Sequence, residues 1–148
     1  MKRIRRILHP TDFSKASRAA FAQAVEMART NRAELLLVHV LTPVMPMVGD
    51  GYISPQVYEQ VEASARATAQ AQIGRLVARA RKAGVRVKPV IMEGVPHEQI
   101  TRAARSKRAD LVVIGTHGRT GLAKFFLGSV AGRVVSTASC PVLTVRGR

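Results

Sequence analysis

Four consecutive apolar residues, Leu111-Val112-Val113-Ile114, end at Gly115, and few folds can house such a run. Three of the four are β-branched, which suits a pleated strand. The lack of polar alternation suits a strand buried on both faces, as in parallel sheets covered by helices. The glycine-rich stretch after the run is equally constraining. Gly115, Gly118 and Gly121, and after a gap Gly128, precede Ser129 and Val130-Ala131-Gly132-Arg133-Val134-Val135. Glycine permits positive φ and lets a ligand approach bare N–H groups. A helix is predicted from Ser129 to about Ala138, and its unpaired N–H groups and dipole favour an anion. Strand, glycine loop and helix N-terminus together make a phosphate cradle. The plainer alternative, a turn-rich strand-to-helix connection, leaves four glycines at these offsets unexplained.

The rest of the chain alternates in the same way. Arg3 to Leu8 predicts a first strand, stopped by Pro10-Thr11-Asp12, and Ser14 can cap a helix running to about Asn31. Ala20, Phe21, Ala24, Val25 and Ala28 mark its inner face. Glu34 to Val40 predicts the second strand. Leu41 to Ser54, with Pro43, Pro46, Gly49 and Gly51, predicts an irregular, mobile loop. Pro55 to Ala83 carries Tyr58, Val61, Ala65, Ala69, Ile73, Leu76 and Ala80 at spacings of three and four, which fits one long helix ended at Gly84. Val85 to Met92 is the third strand, and Pro96 to about Lys107 a helix with proline at its first position. Pro141 to Arg146 is the fifth strand. Alternation of this kind predicts an α/β fold, with a parallel sheet and helices on both faces.

At 148 residues the chain is expected to form one domain, residues 1–148. No apolar run approaches the ~20 residues of a membrane span, and nothing near Ile4, Ile7 and Leu8 resembles a signal peptide. A single cysteine, Cys140, cannot form an internal disulfide. These features fit a cytoplasmic protein with no membrane partner. The formal charge of +15, from 24 Lys plus Arg against 9 Asp plus Glu, invites phosphate-bearing partners. Along the chain the cations are spread over the first segment, the long helix and residues 102–108. No Trp and only six Phe plus Tyr leave little for a base-stacking platform. Most of this charge reads as solvated surface, and any nucleic-acid binding is expected to be weak and non-specific.

The spacing Gly115-x2-Gly118-x9-Gly128-Ser129 resembles the nucleotide-binding signature of the universal stress protein family. The resemblance extends to Pro10-Thr11-Asp12-Phe13-Ser14, Val38-His39-Val40 and Cys140-Pro141-Val142-Leu143, and so covers essentially the whole chain in order. The loop is neither a Walker A sequence, lacking Gly-Lys-Ser/Thr, nor a G-x-G-x-x-G fingerprint. The resemblance implies a single-domain, open, doubly wound five-stranded parallel sheet in the order 3-2-1-4-5. Strands one and four are then neighbours where the winding reverses, and the crevice beyond their carboxyl ends is where such sheets bind ligands.

It further implies that ATP is the cofactor, with magnesium held mainly by the phosphates. Asp12 fits a turn or helix start by chemistry alone; the resemblance implies a contact on the adenosine end. Pro10 and Thr11 shape that wall, and Val40 matches the position whose backbone touches adenine. Gly115, Gly118, Gly128 and Ser129 match the phosphate side, with Thr116 and Val130 beside them. Ser129 is also the natural N-cap of the last helix, which puts Gly132 at the third helical position in place of a capping-box Glu. Arg119 and Lys124 could neutralise phosphate charge or could be solvated loop cations. Phe125 and Phe126 are expected to pack the loop down, and Cys140 to be a small buried apolar residue. His117 has no carboxylate or Cys/His cluster nearby in sequence to orient it and reads as a loop residue. No His spacing suggests zinc, so neither catalytic nor metal-binding residues are assigned. The function expected is that of an ATP-binding stress-response regulator, with a slow ATPase or phosphoryl-transfer enzyme and a nucleic-acid module as alternatives. A homodimer through the Pro141–Arg146 strand is expected, because an exposed apolar edge invites pairing.

Overall fold

Five parallel strands form the central sheet of the computed structural model, which describes residues 2–43, 47–48, 51–117 and 127–147. The elements, in chain order, are β1 (Arg6–Pro10), α1 (Lys15–Asn31), β2 (Glu34–Leu41), β3 (Met47–Val48), β4 (Gly51–Tyr52), α2 (Pro55–Lys82), β5 (Arg86–Glu93), α3 (Pro96–Ser106), β6 (Leu111–Gly115), α4 (Ser129–Thr137) and β7 (Val142–Val145). The sheet order is β5-β2-β1-β6-β7, which is the expected 3-2-1-4-5 once the β3–β4 ribbon is set aside. The chain winds outward through β2 and β5, then returns to place β6 on the other side of β1. Winding therefore reverses between β1 and β6.

Alternation along each strand sends neighbouring side chains to opposite faces, and both faces are covered. Ile7, Leu35, Leu37 and Val113 pack with Phe21 of α1 and Ile73 and Val77 of α2. Leu8, Leu36, Val38 and Val112 pack on the other face with Ile100 of α3 and Val134 of α4. Full burial of each such side chain stabilises by about 1.5–3 kcal/mol. This two-sided burial is why β2 and β6 carry the unbroken apolar runs Leu35–Val38 and Leu111–Ile114.

Local signals behave as their chemistry requires, with four corrections. Ser14 caps α1, its hydroxyl accepting from Ser17 N–H at 3.2 Å. The first strand begins at Arg6 and not Arg3: ladder pairing starts with Arg6 opposite Glu34, and the Arg5 and Arg6 N–H groups donate to Asp110 Oδ2 at 2.9 and 3.0 Å. Burial pushes the Asp110 carboxyl up, but these bonds and nearby Lys2 outweigh it and hold the group below its ordinary range. Within the stretch expected to be irregular, β3 and β4 form a short antiparallel ribbon. The apolar stripe of α2 is buried only in its second half, at Ala69, Ile73, Val77 and Ala80, while Val61 and Ala65 are exposed. Finally, the N-cap of α4 is Gly128, and Ser129 is already helical with no side-chain capping bond. The Gly132 N–H donates to Gly128 O at 2.8 Å, so Gly132 stands one position later than expected and displaces no capping-box residue.

Candidate functional site: a cleft at the switch point

Beyond the carboxyl ends of β1 and β6, where the winding reverses, lies a cleft of about 870 Å³. Cavities that bury small molecules span roughly 300–1,000 Å³. Pro10, Thr11 and Asp12 line it from β1 and its following turn, and Val40 lines it from β2. Gly115 and Thr116 line it from β6, and Gly128, Ser129 and Val130 from the start of α4. The fold thus gathers nine of the sequence-predicted residues around one cavity, although a hundred residues separate Asp12 from Gly115 in the chain. Gly118 and Arg119, with Lys124, Phe125 and Phe126, lie outside the described residues.

The β1 side of the cleft is held by a dense local network. Thr11 N–H donates to Val38 O at 2.8 Å, and Thr11 Oγ1 accepts from Phe13 N–H at 3.1 Å and from the Ser17 hydroxyl at 2.9 Å. Asp12 Oδ1 accepts from Ser14 N–H at 2.9 Å, so Asp12 does perform its turn role while also facing the cavity. Together these bonds hold Phe13 at φ +64°, a left-handed conformation that costs a bulky residue about 1–3 kcal/mol. The Phe13 ring lies 4.4 Å from that of His39. His39 Nδ1 in turn donates to the Thr11 carbonyl at 2.7 Å, tying the turn to the end of β2. Strain over-determined in this way presets the shape of the wall.

On the opposite side, Gly128 N–H donates to Thr116 O at 2.6 Å and ties the start of α4 to the end of β6. That brings the α4 N-terminus, with its unpaired N–H groups and partial positive charge, to the cavity. Because Ser129 caps nothing, its exposed hydroxyl is available at that rim. Gly115 has a reason to be glycine besides any ligand: a Cβ there would stand 3.2 Å from the backbone oxygen of Ala16. His117 does have an orienting partner, Thr116 Oγ1, 2.9 Å from Nδ1. Cys140 is only partly buried, and its thiol is raised by desolvation and then by the Asp110 charge. Among the described lining residues, His39 and His117 aside, Asp12 alone carries a formal charge.

The third wall was missed in the sequence. Residues Gln60, Ser64, Thr68 and Gln72 of α2 line the cleft at intervals of four, an uncharged polar stripe on one helical face. A 28-residue helix is about 42 Å long, whereas an eight-residue strand spans about 26 Å. The first half of α2 therefore overhangs the sheet, and the salt bridge Arg66–Glu93 at 3.1 Å links it to the end of β5. The signal was present: a helical stripe free of charge in a segment otherwise rich in Glu and Arg.

The sequence profile of the universal stress protein family matches residues 3–146. The chain belongs to that family. A universal stress protein of Methanocaldococcus jannaschii is 36% identical over 142 residues, covering 96% of this chain and 82% of the relative. Among solved structures, the universal stress protein UspA from Lactobacillus plantarum superposes with a TM-score of 0.84 at 26% identity, covering 99% of this chain and 100% of the other. Two further members share the universal stress protein fold at lower identity. A complex with cAMP has a TM-score of 0.73 at 23% identity, covering 99% and 100% of the two chains. An Arabidopsis thaliana protein with AMP bound has a TM-score of 0.71 at 24%, covering 97% and 92%.

Proposed function

We propose that this universal stress protein is a cytoplasmic regulator that binds an adenine nucleotide, ATP foremost, in the cleft between β1, β6 and α4. The observation that carries the reading is the convergence of Gly115, Gly128 and the α4 N-terminus, where an anion is favoured, on a polar and apolar recess. Asp12 and the Val40 backbone would take the adenosine end. Gly118, Gly128, Ser129 and the α4 N–H groups would take the phosphates, with Arg119 beside them and any magnesium carried mainly on phosphate oxygens. The solved complexes with cAMP and AMP support the ligand class. The output is a nucleotide-dependent change in shape or partner affinity, in a dimer joined through β7. Calorimetric titration with Mg-ATP, AMP and Mg-GTP tests the ligand. Adenine nucleotides should bind with submillimolar affinity and the guanine nucleotide more weakly; no heat with any adenine nucleotide would refute the assignment.

A further inference from the structure

The positive charge is not spread over the molecule, although it is spread along the chain. All five sheet strands are parallel, so the strand starts and the C-terminal ends of α1, α2 and α3 meet at one edge, opposite the cleft. The register sets Arg6, Glu34 and Arg86 side by side across β1, β2 and β5. Lys2, Arg3, Arg5 and Arg6 enter this edge from the N-terminal segment, and Arg29 and Arg32 from the end of α1. Arg79, Arg81, Lys82 and Arg86 come from the α2–β5 connection, and Arg105, Lys107 and Arg108 from the end of α3. These are thirteen of the chain's 24 basic residues, against three of its nine acids, Glu26, Glu34 and Asp110. The local surplus is ten of the formal +15.

The three acids are already engaged, with Arg29, Arg6 and Lys2 respectively. Arg79 lies over the Phe21 ring, 5.3 Å from its centroid. Arg3, Arg5, Arg32, Arg81, Lys82, Arg86, Arg105 and Arg108 are exposed and form no salt bridge among the described residues. Each converging helix C-terminus contributes about half a negative charge, which offsets only a small part of the surplus. Two of these arginines also hold strained backbone. Arg32 at φ +54° and Arg108 at φ +53° occupy left-handed turns where glycine costs least, as Gly84 does at φ +81° after α2.

We infer that this edge is a docking surface for the phosphodiester backbone of double-stranded nucleic acid, separate from the nucleotide cleft. Ten of the thirteen cations are arginines, whose planar forks suit phosphate oxygens. Of the exposed large apolar residues among those described, Val57 and Val61 sit in the first half of α2 and Val95 and Leu127 before α3 and α4, all toward the cleft, and Leu143 is on β7. Val135, in the last turn of α4, approaches this edge. One valine is too little to anchor in a bilayer, and among the described residues no Phe or Tyr is exposed on which single-stranded bases would stack. From β5 to β6 is three strand spacings, about 14 Å, over which a duplex presents roughly eight phosphates. Contacts of this kind position a backbone without reading sequence, so binding is general and governed by salt.

Anisotropy titrations of a short labelled DNA duplex between about 50 and 200 mM salt test the inference. Wild type should give a slope of log affinity against log salt between about −4 and −7. Arg32→Gly with Arg108→Gly should reduce that slope by about two while melting at or above wild type, because glycine suits both turns. Arg3→Ala with Arg86→Ala, which leaves the turns intact, should show the same loss. Lys15→Ala with Arg18→Ala, removing equal charge at the cleft end, should leave the slope unchanged. Equal losses from all three pairs would reduce the effect to net charge and overturn the inference. So would failure to bind duplex at the lowest salt, or retention on phosphatidylserine vesicles that depends on Arg32 and Arg108 without any duplex binding.

Discussion

His9 shows how a single residue records the fold's constraints. It is fully buried, its Nδ1–H donates to Val113 O at 2.9 Å, and its Nε2 finds no partner among the described residues. Desolvation lowers its pKa from 6.5 to about 4, against the opposing pull of the Val113 bond and the Asp12 charge. The folded pKa is below the unfolded one, so the neutral form is favoured by folding. That contribution is complete above pH 6.5 and is lost as pH falls toward 4, by about 3 kcal/mol in all. Urea unfolding of wild type and His9→Asn between these pH values should show the acid-side loss shrinking in the variant by that order; parallel curves would contradict it. Nothing in the spacing of the histidines marks His9 as special, since burial at the centre of a sheet is a property of pairing. Asp12 and Gly115 teach the same lesson differently. The turn bond from Ser14 N–H to Asp12 was readable locally, whereas the Ala16 carbonyl that a Gly115 Cβ would crowd comes from a helix about a hundred residues away.

At the scale of elements, β2 and β6 were legible because burial on both faces leaves the apolar runs Leu35–Val38 and Leu111–Ile114, whereas β5 and β7 were read from their place in the alternation. Helix α2 was legible as a helix but not as a wall. Its spacing of three and four persists from Tyr58 to Ala80 whether or not core lies beneath, and the N-terminal half has no buried residue. Helix interiors held by packing resist opening, whereas unpacked turns open at little cost. Amides of residues 59–67 should therefore exchange with solvent orders of magnitude faster than those of 73–80. Saturating Mg-ATP should slow exchange in the first half, where Gln60, Ser64 and Thr68 line the cleft. Uniform protection along α2 without ligand would contradict the overhang, and protection unchanged by nucleotide would remove α2 from the binding wall. The start of α4 was legible only to within one residue, because glycine and serine both serve as N-caps. The difference decides whether the Ser129 hydroxyl is spent on capping.

For the whole molecule, topology and the switch-point cleft were legible from alternation together with the family resemblance, but the gathering of cations at one edge was not. Charge position in a parallel fold depends on which chain segments end at the same side of the sheet. The two sheet edges differ as well. β5 carries Arg86, Lys88 and Pro89, which blunt it, whereas β7 presents Val142, Leu143 and Val145 with Leu143 exposed. Pairing through β7 predicts a dimer in equilibrium sedimentation at tens of micromolar, weakened by Leu143→Lys; a wild-type monomer throughout would contradict it. The central claim, that the cleft binds an adenine nucleotide with its phosphates on the α4 N-terminus, is tested most directly by thermal unfolding with and without Mg-ATP. A ligand at about a hundred times its Kd adds ~2.7 kcal/mol, and a domain of this size gains on the order of 2–4 °C per kcal/mol. Wild type should therefore rise by about 5–10 °C. Ser129→Glu places a carboxylate in the first turn of α4, which favours the helix by ~0.3–1 kcal/mol but opposes a phosphate. The variant should melt at or above wild type without ligand and show no shift with it. An equal shift in both proteins, or none in wild type at millimolar nucleotide, would contradict the claim.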